Sequence, residues 1–208
     1  MRLLPCGDAA LLVEVDDLRS VLALAAAIRA DRDGGGLADV VDVVPAARTV
    51  LLRCRPGPGV LAGVADRLRG LETAEHDAEE GPQVEVEVTY DGPDLEDVAR
   101  ISGLGADEVV RLHTDAEWTV AFTGFLPGFG YLVGGDERLV MPRREEPRTK
   151  VPAGSVGLAG EFTGAYPRES PGGWQLIGRT EETLWDPERD PPALLAPGTR
   201  VRFVRVGP

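Results

Sequence analysis

Lysine is nearly missing from this chain. Lys150 is the only one among 22 basic residues, and there is no asparagine. With Ala, Gly, Arg and Pro used heavily, this fits the bias of a GC-rich genome. The lone lysine is then an indifferent surface residue or one kept for its compact ammonium, which arginine mimics poorly. Two cysteines, Cys6 and Cys54, make neither a disulfide framework nor a zinc site, and free thiols fit a reducing, cytoplasmic setting. Two histidines, His76 and His113, exclude a histidine metal cluster. Aromatics are 5% of residues, too few for a base-stacking platform. Basic residues trail acidic ones 22 to 35, a net charge of -13. A nucleic-acid binder needs a basic face, and docking on anionic lipid needs the same.

Long apolar runs are also missing. The N-terminal run is broken by Pro5 and Asp8, too short for a signal peptide. The uncharged stretch Trp118–Gly135 holds five glycines and a proline and reads as strand plus loop, not as a membrane helix. No G-x-S-x-G elbow, P-loop or H-E-x-x-H occurs.

What is present is a chain of 208 residues, enough for one or two domains. Ala10–Val15 reads as a strand. Asp17 or Ser20 can cap a helix through about Ala30, with Val21, Leu24, Ala25 and Ile28 on one face and Gly34–Gly36 as its stop. Val40–Val44 and Thr49–Arg53 read as strands around Pro45, and Val60–Leu71 as a second helix. Glu72–Pro82, rich in glutamate and holding a solvated His76, reads as a linker. Gln83–Tyr90 alternates strictly, a strand signal. Paired with the first region, it would make that region β-α-β-β-α-β, a ferredoxin-like split. Asp94 can cap a short helix to Ile101, and Ala106–Leu112 is another. Beyond Trp118 come Glu117–Phe122, Tyr131–Val133, Ser155–Leu158, Trp174–Ile177 and Arg200–Val206. These are short apolar runs cut by Gly and Pro, the pattern of a closed β-barrel or sandwich. The fold class is α+β: a small N-terminal α/β domain over 1–80, then a β-barrel domain over 81–208.

Chemistry concentrates in glycine-rich loops at 124–132, 151–157 and 170–174. Glycine permits close backbone approach and positive φ, so successive N–H groups can converge on an anion; it also simply turns barrel corners. Arg143, Arg144 and Arg148 precede the second loop, and Arg168 and Arg179 flank the third. A guanidinium fork suits carboxylate or phosphate. The same arginines could form surface pairs with Glu145, Glu146 and Glu169.

The motifs GFLPGFGYL at 124–132, PRREEPR at 142–148, VPAGSVGLAG at 151–160, TGAYP at 163–167 and SPGGWQLIGRT at 170–180 resemble the B-type subunit of bacterial 5-oxoprolinase. YDGPDL at 90–95 and the segment ending at His113 fit as well. That family is also described as allophanate hydrolase subunit 1 and as a sporulation kinase-inhibitor family. Phe162 stands where the family usually has glutamine, and Gly130 where it has proline or alanine. The resemblance implies a cyclophilin-like barrel of carboxyltransferase type. It implies a hydrolase that works with two further 5-oxoprolinase subunits, the C-type and the A-type. Together they open 5-oxo-L-proline to L-glutamate using ATP as co-substrate with magnesium, without a tightly bound cofactor. In the related urea carboxylase the active site lies between two barrels, so the single chain is expected to be inactive.

Lactam activation by phosphorylation needs cations for phosphoryl oxygens, a fork for the substrate carboxylate and a base for water. The candidates are Arg143, Arg148 and Arg179 for anions and Glu161 for proton transfer. Tyr166 and His113 are candidates as hydrogen-bonding groups. The backbone at Gly154–Ser155 and Gly172–Gly173 could hold an oxyanion. His113 could equally be a satisfied histidine at a helix end, and Tyr166 a core aromatic with a polar tip. The resemblance leaves two alternatives: a non-catalytic partner that inhibits a sensor histidine kinase, and one part of an enzyme for another amide or urea-like substrate. No nucleic acid, membrane or metal ligand set is expected.

Overall fold

Every-second-residue burial and a few caps account for the first part of the chain. The computed structural model describes residues 1–73 and 81–207. The chain divides into two compact units, Met1–Ala78 and Glu79–Pro208. Most of the expected linker, with His76, lies outside the described residues.

The first unit runs β1 (Arg2–Pro5), β2 (Ala10–Glu14), α1 (Leu18–Asp33), β3 (Val40–Pro45), β4 (Thr49–Cys54) and α2 (Val60–Arg69). Leu11 and Val13 alternate into the core from β2, as do Val50, Leu52 and Cys54 from β4. They meet Val21, Leu24, Ala25 and Ile28 of α1 and Val64 and Leu68 of α2. Asp17 caps α1 by accepting the Ser20 N–H at 2.7 Å. Gly34 closes it, its N–H reaching the Ala30 carbonyl at 2.9 Å.

The sheet order is β1-β2-β4-β3, antiparallel throughout. The expected β-α-β-β-α-β region is therefore corrected. The edge beside β2 is taken by β1, which the sequence showed only as a broken apolar run. Gln83–Val88 (β5) instead pairs parallel with β13 (Arg200–Arg205) in the second unit. Burial decides this: Val86 and Val88 are fully buried in the second core.

That unit continues with α3 (Leu95–Ser102), α4 (Ala106–Asp115), β6 (Trp118–Thr123), β7 (Gly130–Val133) and a 3-10 turn at Glu137–Leu139. Then come β8 (Arg148–Val151), β9 (Ser155–Ala159), β10 (Phe162–Ala165), β11 (Ser170–Gly172) and β12 (Gln175–Arg179). Seven strands run β12-β9-β10-β7-β6-β13-β5. A bridge between Thr89 and Arg179 brings the two edges together, so the sheet is a nearly closed barrel. β8 and β11 form a separate pair. Val120, Leu132, Val156, Leu158, Ala165, Ile177 and Phe203 fill the barrel, and Val98 and Val109 bring α3 and α4 onto the same core.

The wall formed by β7, β9, β10 and β12 is buried on both faces. Leu132, Val156 and Ile177 point inward, while Tyr131, Ala159, Phe162 and Leu176 belong to a second, outer cluster. Strict period-two alternation cannot be read where both faces are apolar. Glycine completes the outer face: a Cβ on Gly164 would lie 2.7 Å from the Gly130 carbonyl, 3.2 Å from the Trp174 ring and 3.3 Å from the Phe129 ring.

Candidate functional site

On that outer face lies a cavity of about 490 Å³. Its walls include Phe125, Phe129, Tyr131, Phe162, Tyr166 and Trp174. Phe125 and Phe129 come from the loop between β6 and β7, Tyr131 from β7, Phe162 from β10, and Tyr166 and Trp174 from the chain after β10 and before β12. The rings meet edge to face: Phe129 lies 5.1 Å from Tyr166 at 78° and 5.2 Å from Trp174 at 89°. Such pairs are favourable because ring edges are positive and faces negative. A chain poor in aromatics, with five Phe, three Trp and three Tyr, has thus placed six of these eleven around one hollow. Phe125 is 55% exposed and holds φ at 67°, in the left-handed region. For a bulky residue that conformation is strained, a mark often found at functional positions.

Among the described residues, Arg143 is the one charged residue lining the cavity. Gly173 lies against it: a Cβ there would sit 3.6 Å from both Nε and Nη2 of the guanidinium, in ordinary van der Waals contact. Among the described residues no carboxylate lies within ion-pair distance of Arg143. Burial raises the Tyr131 and Tyr166 hydroxyls, Tyr166 to about 12, although the charge of Arg143 opposes this. Both phenols therefore stay protonated at neutral pH and offer O–H donors, not bases. Among the described residues no Asp, Glu or His lines the cavity. Apolar walls, two hydroxyls and one free guanidinium can hold a small ring that carries a carboxylate.

The other expected site residues are dispersed. His113 is fully buried inside the barrel, with Nδ1 2.7 Å from the Tyr90 hydroxyl and Nε2 2.8 Å from Thr163 Oγ1. Its ring lies 4.4 Å from Phe203, and burial lowers its pKa to about 3. It is neutral and away from the cavity, so its catalytic reading is corrected. Arg179 stands among Asp91, at 3.0 Å, and Glu181, at 3.0 Å, in a separate acidic groove. The expected Gly154–Ser155 oxyanion cradle is likewise corrected. The Gly154 N–H is spent on the Tyr166 carbonyl at 2.7 Å and the Ser155 N–H on the Pro152 carbonyl at 3.3 Å. Gly154 has φ 79° and abuts the Thr180 carbonyl, so it turns a corner. Gly172 does line the cavity, where a side chain would strike the Tyr166 hydroxyl. Glu161 is exposed at the β9–β10 hairpin tip; its neighbours Gly160 and Phe162 line the cavity and it does not. Lys150 is a surface residue paired with Glu169 at 3.2 Å.

Arg148 and Arg144 both meet Asp94. Arg148 Nη2 donates to Oδ1 at 2.7 Å and Arg144 Nη1 to the same oxygen at 2.8 Å. Oδ2 accepts the Leu176 N–H at 2.7 Å. The side chain of Asp94, the expected cap of α3, makes no cap bond; it is 1% exposed and faces the arginines. Arg148 as a free anion fork is corrected accordingly. Sequence reasoning missed Asp94 and the aromatic walls. The only available signal was the aromatic density of GFLPGFGYL and the two aspartates of YDGPDL. Among the described residues no three His, Cys, Asp or Glu gather as metal ligands, and no helix is long and apolar enough to cross a membrane.

The carboxyltransferase domain, subdomain C and D, matches residues 1–195. The B-type subunit of 5-oxoprolinase from Escherichia coli O157:H7 is 46% identical over 170 residues, covering 80% of this chain and 78% of the relative. The crystal structure of TTHA0988 is 36% identical with a TM-score of 0.75, over 96% of this chain; this chain spans only 40% of that one. The urea amidolyase of K. lactis shares the fold, with a TM-score of 0.77 at 19% identity, over 98% of this chain and 15% of its own. With a domain match over nearly all its length and a relative this similar, the chain belongs to the family of 5-oxoprolinase B-type subunits, built on the carboxyltransferase domain, subdomain C and D.

Proposed function

We propose that this chain is the B-type subunit of an ATP-dependent 5-oxoprolinase and supplies the pocket for the organic substrate. The reading rests on the aromatic cavity with its one unpaired guanidinium, Arg143, in a chain similar to a relative of that name. The substrate 5-oxo-L-proline is a small flat lactam with one carboxylate. The aromatic faces hold the ring, Arg143 takes the carboxylate as a fork, and the protonated hydroxyls of Tyr131 and Tyr166 face the ring's polar edge. In the reaction the lactam oxygen takes the γ-phosphoryl group of ATP and ADP leaves. Water then adds to the activated carbon, the ring C–N bond breaks with protonation of nitrogen, and a second water releases phosphate.

Among the described residues the cavity walls offer no base for these waters. The base comes from Glu161 at the neighbouring hairpin tip or from a facing barrel. The C-type subunit of 5-oxoprolinase is the proposed barrel partner, the A-type one completes the enzyme, and magnesium accompanies ATP. We read the barrel as the cyclophilin-like, carboxyltransferase type and place the protein in the cytoplasm. Co-purification with the C-type partner, followed by assay of 5-oxoproline-dependent ATP hydrolysis with and without the A-type partner, tests the reading. Turnover that rises with 5-oxoproline supports it. A reconstituted complex with no such dependence overturns it.

A further inference from the structure

We infer that Asp94 is a positioning residue that sets Arg143 against the cavity; the inference rests on the substrate reading just given. Arg143 lies in the segment Pro142–Pro147, which has no regular structure of its own. The segment is fastened on both sides of Arg143. The Pro142 carbonyl accepts Gln175 Nε2 at 3.1 Å. The Arg144 N–H reaches the Gly173 carbonyl at 2.8 Å, and its guanidinium reaches Asp94. Arg148, at the start of β8, reaches the same carboxylate oxygen. Asp94 is itself tied to β12 twice. Its side chain takes the Leu176 N–H, and its own N–H donates to the Leu176 carbonyl at 2.9 Å. Gly92 allows this approach, since a side chain there would collide with the backbone of Ile177 and Leu176. One buried carboxylate thus joins the start of α3, the arginine segment and β12, and β12 begins directly after Trp174, a wall of the cavity.

The arrangement is costly as pure scaffolding. Two guanidiniums share one carboxylate oxygen, and Arg144 Nε and Arg148 Nη1 remain buried without partners. Unsatisfied buried donors destabilise, and native chains keep such features mainly where geometry serves a site. Without Asp94 the two arginines lose their common anchor, and the segment on the C-terminal side of Arg143 is left with the Arg144 N–H to Gly173 alone. The fork would then meet the substrate carboxylate less often, which weakens binding more than it slows the later chemistry.

The test uses the complex reconstituted with the C-type and A-type partners. Asp94→Asn should raise KM for 5-oxoproline on the order of tenfold, as expected for losing one well-aimed charge-assisted contact, while kcat changes by less than about threefold. Arg143→Ala should raise KM at least as much, and the double variant should be no worse than Arg143→Ala alone, because Asp94 acts through Arg143. Asp94→Glu should recover part of the loss. If Asp94→Asn fails to assemble, Gln175→Leu releases the other anchor of the same segment and should shift KM in the same direction. An unchanged KM with only a lowered melting temperature, or additive effects in the double variant, would overturn the inference while leaving the substrate reading intact. If Arg143→Ala leaves KM unchanged, the substrate reading fails and the inference fails with it.

Discussion

His113 shows how one residue type can carry opposite meanings. At the end of a short helix, in a chain with one other histidine, it reads as a candidate hydrogen-bonding group of the site. Fully buried between Tyr90, Thr163, Trp118 and Phe203, it is a neutral core group held by two hydroxyls. Burial depresses its pKa from 6.5 to about 3. The unfolded chain therefore binds a proton below pH 6.5 that the folded chain refuses, and stability falls as pH drops from there toward 3. Carboxylates lose their own stabilisation only below about 4.5, so the interval between about 6.5 and 4.5 isolates His113. The melting temperature should decline on acidification across that interval. His113→Gln should be about 2–4 kcal/mol less stable at pH 7, since glutamine cannot serve both hydroxyls, and its melting temperature should lose much of that pH slope. A variant with the full wild-type slope would contradict the assignment. Arg179 is the converse case. Half-exposed and paired with Asp91 and Glu181 outside the cavity, it should tolerate Arg179→Ala with KM, kcat and melting temperature close to wild type. A large KM increase in steady-state kinetics would return it to the site.

At the scale of elements, the loop between β6 and β7 separates function from packing within five residues. Phe129 is 1% exposed and sits at the centre of the ring cluster. Phe129→Ala should cost about 3–5 kcal/mol, the usual cost of emptying a buried aromatic position. Phe125 is more than half exposed and strained at positive φ. In Phe125→Gly the relief of that strain, about 1 kcal/mol, offsets the flexibility glycine adds, about 0.5–1 kcal/mol. Its melting temperature should hardly move, while KM for the substrate rises several-fold with the loss of one wall. Calorimetry and steady-state kinetics on both variants check the contrast. If Phe125→Gly instead melts far below wild type, Phe125 is scaffold. Besides β1, the sequence did not announce β8, β10 and β11, and these three share one cause. Each is three or four residues long and mixes charge, proline or glycine. They exist as strands because a neighbouring strand offers a partner, as Phe162–Ala165 finds in Ser155–Ala159.

For the whole molecule, the composition of the cavity decides what the chain can do alone. Among the described residues it offers ring surfaces, two hydroxyls and one cation, with no carboxylate or imidazole. A binding half-site of that kind should show no 5-oxoproline turnover in the purified single chain, and adding the C-type and A-type partners should restore it. Turnover by the chain alone, above that of an Arg143→Ala control, would show that the acid and base are already present.

The sequence by itself determined the order of helices and strands in the first unit from β2 onward, because alternation, Asp17 and the triple glycine act locally and need no partner. It determined the family, because the motifs from Gly124 to Thr180 stand in order. It also marked the arginine segment that holds Arg143. Only the tertiary structure decided where β5 belongs, since a strand alternating Val and Glu fits either unit until its edge partner is known. Only the structure separated Arg143 from Arg148. The carboxylate that claims Arg148 lies 54 positions away, and no local pattern records such a pairing. The cavity was hidden for the same reason. Its rings come from separate segments that are apolar for core and site alike, and closure of the barrel alone turns one set of them inward and leaves the other around a hollow.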